Sequence, residues 1–443
     1  MMSDWFYRLF HYAQDAKPIR HCFGRGINAR LHPRERELFE EAMNAFSDGK
    51  ITEAYEHYLR SLENFNGTQS NHNIALHYEE ETLHFELYQG TAVIRGSVTD
   101  KQFEAHAVIT SRSLMDVAIK RHILERNDLL TYAYYYTHGE DLLLKIYLDN
   151  TTMTPQKIFY PLRELALNAD YEKEYLHYYY KQERLIEVGH LKPIDTAELQ
   201  IKYEAMRTWI EKAREDLKHL PANDNNSTVS FTALSLIFQI DYLLLPQNDI
   251  AQEIIEKVTS FFTDDERLVE QKNDELLEFI EKLQKLDFET FARQCYKARY
   301  TFAPMDSASI EELNLFVETS LEKMRWFRQH RYTHIVFIIY RYIALYMLYN
   351  YGLHPSYRAL LHLLVEVHNS DFFTKLGYAP LYSTENNRFD REAIINAIDD
   401  AIKPYQKQFA HLEPFGKELN YTTLEEFSHS FYLHLKNLNY IEL

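Results

Sequence analysis

Thr82-Leu83-His84-Phe85-Glu86-Leu87-Tyr88 decides the fold of the first half of this 443-residue chain. Leu83, Phe85 and Leu87 fall on one side of an extended backbone, and His84, Glu86 and Tyr88 on the other. Strict alternation is the mark of a strand with one buried and one wet face. Gln89-Gly90 offers a turn, and Thr91–Val98 continues with Ala92, Ile94 and Val98 inward. After Thr99-Asp100-Lys101 the period of two returns at Phe103, Ala105, Ala107 and Ile109. The reading is an antiparallel meander.

Downstream, residues 113–125 carry Leu114, Val117, Ala118, His122 and Ile123 at helical spacing. Strands are expected over 129–136 and 141–148, joined at His138-Gly139-Glu140. Thr154-Pro155 then supplies an N-cap and first-turn proline for another helix, which Pro161 kinks or restarts. Upstream, Pro33 opens a helix with Leu38, Phe39, Ala42, Met43 and Phe46 as its apolar stripe. Gly49 suits the left-handed position that ends it, and a second helix is expected over 51–65. Gly49, Ala54 and Tyr58 in Gly49-Lys50-Ile51-Thr52-Glu53-Ala54-Tyr55-Glu56-His57-Tyr58 resemble a tetratricopeptide turn and second helix. No second copy follows, and one hairpin cannot build a solenoid, so the pair must pack on something else.

The order strands, helix, hairpin, helix over about 82–180 resembles the type III secretion chaperone-like fold. The resemblance rests on Ala118-Ile119-Lys120-Arg121-His122-Ile123-Leu124-Glu125-Arg126-Asn127-Asp128-Leu129-Leu130, the hairpin to Leu148, Thr154-Pro155-Gln156-Lys157 and Leu162-Arg163-Glu164-Leu165-Ala166. It covers about a quarter of the chain and implies a protein-binding module. The helical pair ahead of it, the length, and everything after 190 depart from that pattern.

From about 195 onward the pattern is helical, with no strand expected. Asp195-Thr196 caps a helix to Leu220, and Pro221-Ala222-Asn223-Asp224-Asn225-Asn226-Ser227 reads as a linker. Helices follow over 228–245, 249–262, 264–286 and 288–300, one long helix over 310–351, then 355–369, 390–405 and 423–435. The fold class is therefore an α+β N-terminal domain, a helical hairpin plus antiparallel sheet with flanking helices, followed by a large all-α domain. Boundaries fall at 1–32 for a basic arm, 33–190 for the α+β domain and 195–443 for the helical domain. Eleven glycines and twelve prolines agree with long helices.

Charge and cysteine content exclude several functions. Asp and Glu outnumber Lys and Arg by 66 to 48, a formal charge of −18, which disfavours general binding to nucleic acid or anionic membrane. Residues 1–36 run against this: Arg8, Lys17, Arg20, Arg25, Arg30, Arg34 and Arg36 face only Asp4, Asp15 and Glu35. Such an arm docks on the body, on a partner subunit or on an acidic ligand, or remains a solvated tail. Cys22 and Cys295 make neither a disulfide framework nor a cysteine-rich zinc site. The start lacks the pattern of a secretory signal, and the longest apolar run, Ile335–Tyr349, holds Arg341 and is too short to span a bilayer. A cytoplasmic protein with no membrane and no nucleic-acid partner is expected.

Signatures of catalysis are missing. Gly24-Arg25-Gly26-Ile27-Asn28-Ala29 has the form of a dinucleotide turn, but no strand precedes it and no βαβ unit follows. There is no G-x-x-x-x-G-K-[ST] loop and no G-x-S-x-G elbow. Glu81/His84, Glu174/His177, Glu187/His190 and Glu426/His429 have E-x-x-H spacing, which chance supplies among 66 acids and 21 histidines. No metal and no cofactor is expected.

Two features remain. Arg341 sits within Ile335-Val336-Phe337-Ile338-Ile339-Tyr340-Arg341-Tyr342-Ile343-Ala344-Leu345, and a guanidinium there needs a partner. Arg358, His362 and Glu366 share one face of the next helix, so Glu366 or another acid pairs with Arg341, or the four line a pocket for a carboxylate or phosphate. Tyrosine, at 34 residues, clusters in Tyr132-Ala133-Tyr134-Tyr135-Tyr136 and Tyr178-Tyr179-Tyr180. Tyr132, Tyr134 and Tyr136 then form a partner surface, or else a layer covered by the C-terminal helices. The leading expectation is a non-enzymatic adaptor or chaperone-like protein that binds another protein. The alternative is a small anionic-ligand binder or enzyme around Arg341, Arg358, His362 and Glu366. A homo-oligomer held by the basic arm is the third reading.

Overall fold

A computed structural model describes residues 21–25, 33–63, 73–150, 153–180, 186–218, 226–329, 333–409 and 411–441. The basic arm outside 21–25 and most of the linker-like 221–227 lie outside the described residues.

Helices α1 (Pro33–Ser47) and α2 (Ile51–Ser61) form the expected pair, with Gly49 at φ +78° between them. They do not stack into an array but pack on a six-stranded antiparallel sheet of order β1-β2-β3-β4-β6-β5. Its strands are β1 (Ile74–Glu79), β2 (Thr82–Gln89), β3 (Ala92–Val98), β4 (Gln102–Ser111), β5 (Tyr134–His138) and β6 (Asp141–Asp149). Tyr55 is the key of the α2 contact: its ring lies 5.5 Å from that of Phe103, and its hydroxyl donates to Asn150 Oδ1 at 2.8 Å. Helix α4 (Phe159–Tyr179) packs on β2, β3, β4 and β6, so Leu83, Phe85, Ala105, Leu144 and Ile146 are sealed beneath helices. The other face of the sheet stays half-exposed, as the alternation requires.

One strand is not legible in the sequence, and one expected strand is shorter. β1 has only Ile74 buried, and an edge strand so exposed carries no legible alternation. The strand expected from Leu129 starts at Tyr134, because α3 (Val117–Leu129) runs on to that leucine. Glu164 then accepts from the N–H groups of Thr131, Tyr132 and Ala133 at 3.0, 2.7 and 2.8 Å, which shapes a turn there. A 3₁₀ turn over Pro155–Ile158 precedes α4, so the helix restarts beside Pro161, which falls in the first turn of α4, where its missing N–H costs no helical bond.

The second half is helical, as the pattern requires, with α5 (Thr196–Lys218), α6 (Asn226–Leu244), α7 (Asn248–Thr263), α8 (Val269–Lys285) and α9 (Phe288–Arg293) first. The long helix expected over 310–351 is two, α10 (Ile310–Gln329) and α11 (Thr333–Asn350). After these come α12 (Pro355–His368), α13 (Ser370–Lys375), α14 (Arg391–Ile402) and α15 (Leu424–Leu435). Strands are not wholly absent after 195. Lys192-Pro193 pairs with Tyr296-Lys297, and Tyr382-Ser383 with Arg388-Phe389, as two-residue ladders too short for periodicity. α6 is long and apolar enough to cross a membrane, but 83% of its apolar window is buried inside the fold, so it is a core helix.

The two halves share a laced boundary. Gly90, at φ +52°, donates its N–H to Arg299 O at 2.9 Å. Gln89 Oε1 accepts from Thr301 N and Phe302 N at 3.1 and 2.9 Å. Phe302, from the helical half, is buried within the core of the α+β half.

Candidate functional site

The described part of the basic arm docks on the chain's own body. Phe23 is buried among α12, α13 and the following loop, its ring 5.3 Å from His362, 5.0 Å from Phe373 and 6.4 Å from Tyr378. Gly24 N donates to Tyr242 O at 2.8 Å. A Cβ on Gly24 would lie 2.6 Å from the Tyr242 ring, and its φ is +72°. Close approach and a positive φ are what demand glycine at Gly24.

Arg25 reaches the boundary between the halves. Its Nε donates to Asp241 Oδ1 at 2.8 Å, Nη1 to Gln247 Oε1 at 2.9 Å, and Nη2 to Pro246 O. Burial works against the guanidinium's charge, but Asp241 outweighs it and holds the pKa above the usual range. The chain around this contact is strained: Leu245 and Asn248 adopt φ of +51° and +50°. Facing it from α4 are Asp170, bonded to Thr91 N and Oγ1 at 2.7 and 2.8 Å, and Glu174, bonded to Gln252 Nε2 at 3.2 Å. Burial pushes Asp170 up to about 6 and Glu174 up to about 8. The nearby void beside Gln247 and Tyr300 is about 20 Å³, space for a water and no substrate. This cluster is a clamp. Sequence reading missed it, although Asp241 within the apolar run of α6 was a signal of a buried partner.

Arg341, Arg358 and His362 each bond a different partner. Arg341 Nε donates to Ser235 Oγ at 3.1 Å, and dense packing lowers its pKa to about 10 against the opposing field of Asp216. Its expected pairing with Glu366 is not made. Glu366 has no ion pair among the described residues, and burial raises it to about 7. Arg358 Nη2 donates to Phe23 O at 3.3 Å, and His362 Nδ1 lies 2.9 Å from the Tyr242 hydroxyl. Burial first and Arg358 second press His362 down to about 4. The face holding Arg358 and His362 is thus occupied by the arm.

The two tyrosine clusters have different fates. Tyr178 and Tyr179 donate to Glu253 and Glu256 of α7 and tie the halves together. Tyr132, Tyr134 and Tyr136 remain 45%, 40% and 46% exposed on the turn and edge strand β5. Tyr134 pairs across the ladder with Lys145, whose ammonium bonds Glu104 Oε2 at 2.9 Å, and Tyr136 with Leu143. The hydrogen bond to Glu104 raises the Lys145 pKa, with the two tyrosines adding to it. Tyr147 extends the same open face at 52% exposure. Beside the edge, α3 exposes Val117, Leu124 and Leu129 and buries only Ile119 and Ile123. What fastens α3 is Glu172, fully enclosed, which bonds His122 Nε2 at 2.8 Å and Arg126 Nε at 2.6 Å.

Among the described residues, no three metal-ligating side chains converge. Three of the four E-x-x-H pairs have a member engaged in a structural contact: Glu174 as above, His190 Nε2 on Gly90 O at 2.9 Å, and His429 Nδ1 on the Tyr340 hydroxyl at 3.0 Å. An open groove of about 690 Å³ beside Arg388, Arg391 and Tyr421 is lined largely by exposed polar side chains. A second cavity, of about 320 Å³, lies on the Tyr340 side of α11. Compared by sequence with known proteins, the chain matches no family model and no curated protein.

Proposed function

We propose that this chain is a non-enzymatic protein-interaction module, of the adaptor or chaperone-like kind, that captures its partner on the tyrosine-bearing open face of the sheet. One observation carries this reading: Tyr132, Tyr134, Tyr136 and Tyr147 are exposed together on the β5–β6 side, next to the under-packed α3, while the second tyrosine cluster is used internally. Tyrosines give large contact area at low entropy cost, and Lys145 with Glu104 adds polar groups for register. The resemblance of residues 82–180 to the type III secretion chaperone-like fold points to the same class of role.

The test uses tagged full-length protein from its native host. A partner is expected to co-purify in stoichiometric amount with wild type and to be lost from the Tyr134→Ala/Tyr136→Ala variant. Both side chains are exposed, so the variant should keep its stability within about 1 kcal/mol. Retention of the partner by a folded double variant would sink the assignment.

A further inference from the structure

The 320 Å³ cavity between α10, α11 and α15 is lined by apolar Leu321, Met324 and Leu433, by Arg325, Arg328, Tyr340, His429 and Lys436, and by Glu318 and Glu322. Its size lies at the small end of ligand pockets, which run roughly 300–1,000 Å³. Most of its charges are already balanced. Arg328 Nη2 pairs with Glu425 Oε1 at 2.7 Å, and Lys436 Nζ with Glu318 Oε1 at 3.3 Å. Arg325 makes no ion pair among the described residues.

The hydrogen-bond chain fixes a second donor. Arg328 Nη2 donates to the Tyr340 hydroxyl at 3.1 Å, and that hydroxyl lies 3.0 Å from His429 Nδ1. A hydroxyl that accepts from a guanidinium has its own hydrogen to give, and Nδ1 is where it goes. Burial first and Arg328 second lower the His429 pKa, which favours the neutral ring. The imidazole hydrogen then sits on Nε2.

We propose that this cavity binds a small organic monoanion, a carboxylate with an apolar body, gripped by Arg325 and His429 Nε2 with its body against Leu321, Met324 and Leu433. A monoanion fits better than a phosphate dianion, because one unpaired guanidinium shares the lining with Glu322. The site stands on α11, one residue from Arg341 but on a different face, and is independent of the tyrosine surface.

Thermal shift and calorimetry on the full-length protein test it, with benzoate and butanoate as probes, benzamide as the neutral isostere and inorganic phosphate as the alternative anion. A carboxylate probe should bind saturably and raise the melting temperature, and benzamide and phosphate should not. Arg325→Gln, at an exposed helix position, should keep the unliganded melting temperature and weaken carboxylate binding by about tenfold or more. The proposal is overturned if neither carboxylate binds, if benzamide or phosphate binds as well, or if Arg325→Gln leaves the affinity unchanged.

Discussion

At Gly24 a single missing methyl group decides whether the N-terminal strap can lie down. Gly24→Ala must relieve both a positive φ and a Cβ 2.6 Å from Tyr242, so a loss of about 2 kcal/mol is expected in urea titration, with Phe23 released to solvent. Arg25 is the other decisive residue. Arg25→Met would strand Asp241, which is 7% exposed, and Gln247 without their cation. Removing one member of a buried pair costs about 3 kcal/mol or more, and the same titration checks it. Trimming Tyr134 or Tyr136 removes contact area but no buried partner. The residues that matter for stability and those proposed for capture are thus different sets.

At the scale of elements, α3 is the weak member of the α+β half. Two buried isoleucines give it little apolar anchorage, and Glu172 substitutes by bonding His122 and Arg126 from its 0% exposed position on α4. Glu172→Gln removes the charge from both contacts. Amide exchange over 117–129 should then speed up by tenfold or more, about 1.4 kcal/mol of local opening, while β2–β4 keep their protection. Uniform loss of protection across the sheet would show that α3 is not a separate opening unit. An element held largely by polar contacts and bordered by exposed Leu124, Leu129 and Tyr132 is placed where a partner would gain most by ordering it.

For the whole molecule, stability depends on pH from both sides. Asp170 and Glu174 have folded pKa values of about 6 and 8, raised from 3.8 and 4.5. The folded state therefore holds protons that the unfolded chain has given up. Stability from these groups is present at low pH and is lost as pH rises from about 4 to 8. His362 and His368 act in the opposite sense: at about 4 and 3, lowered from 6.5, they stay neutral while the unfolded chain takes up protons. That contribution is lost as pH falls from 6.5 towards 3. Denaturation midpoints should peak in mildly acidic solution, and Glu174→Gln should flatten the alkaline limb. An unchanged alkaline limb in that variant would remove Glu174 as its cause.

Local pattern was enough for the architecture. Alternation from Thr82 to Ile109 needs only a backbone of period two and a core on one side, and the α5–α15 stripes need only a period of 3.6. The exposure of Tyr134 and Tyr136 on alternate positions follows from the same rule. Everything that joins distant residues escaped that reading. Arg25 to Asp241 spans 216 positions, Phe302 completes a core begun at Ala42, and the Tyr340–His429 cavity unites three helices. Arg341 shows why. Its sequence demanded a partner and could not say which, because pairing depends on the rotation of packed helices. That rotation is chosen by the summed fit of many side chains, and here it turned Arg341 towards Ser235 and Tyr340 towards the cavity.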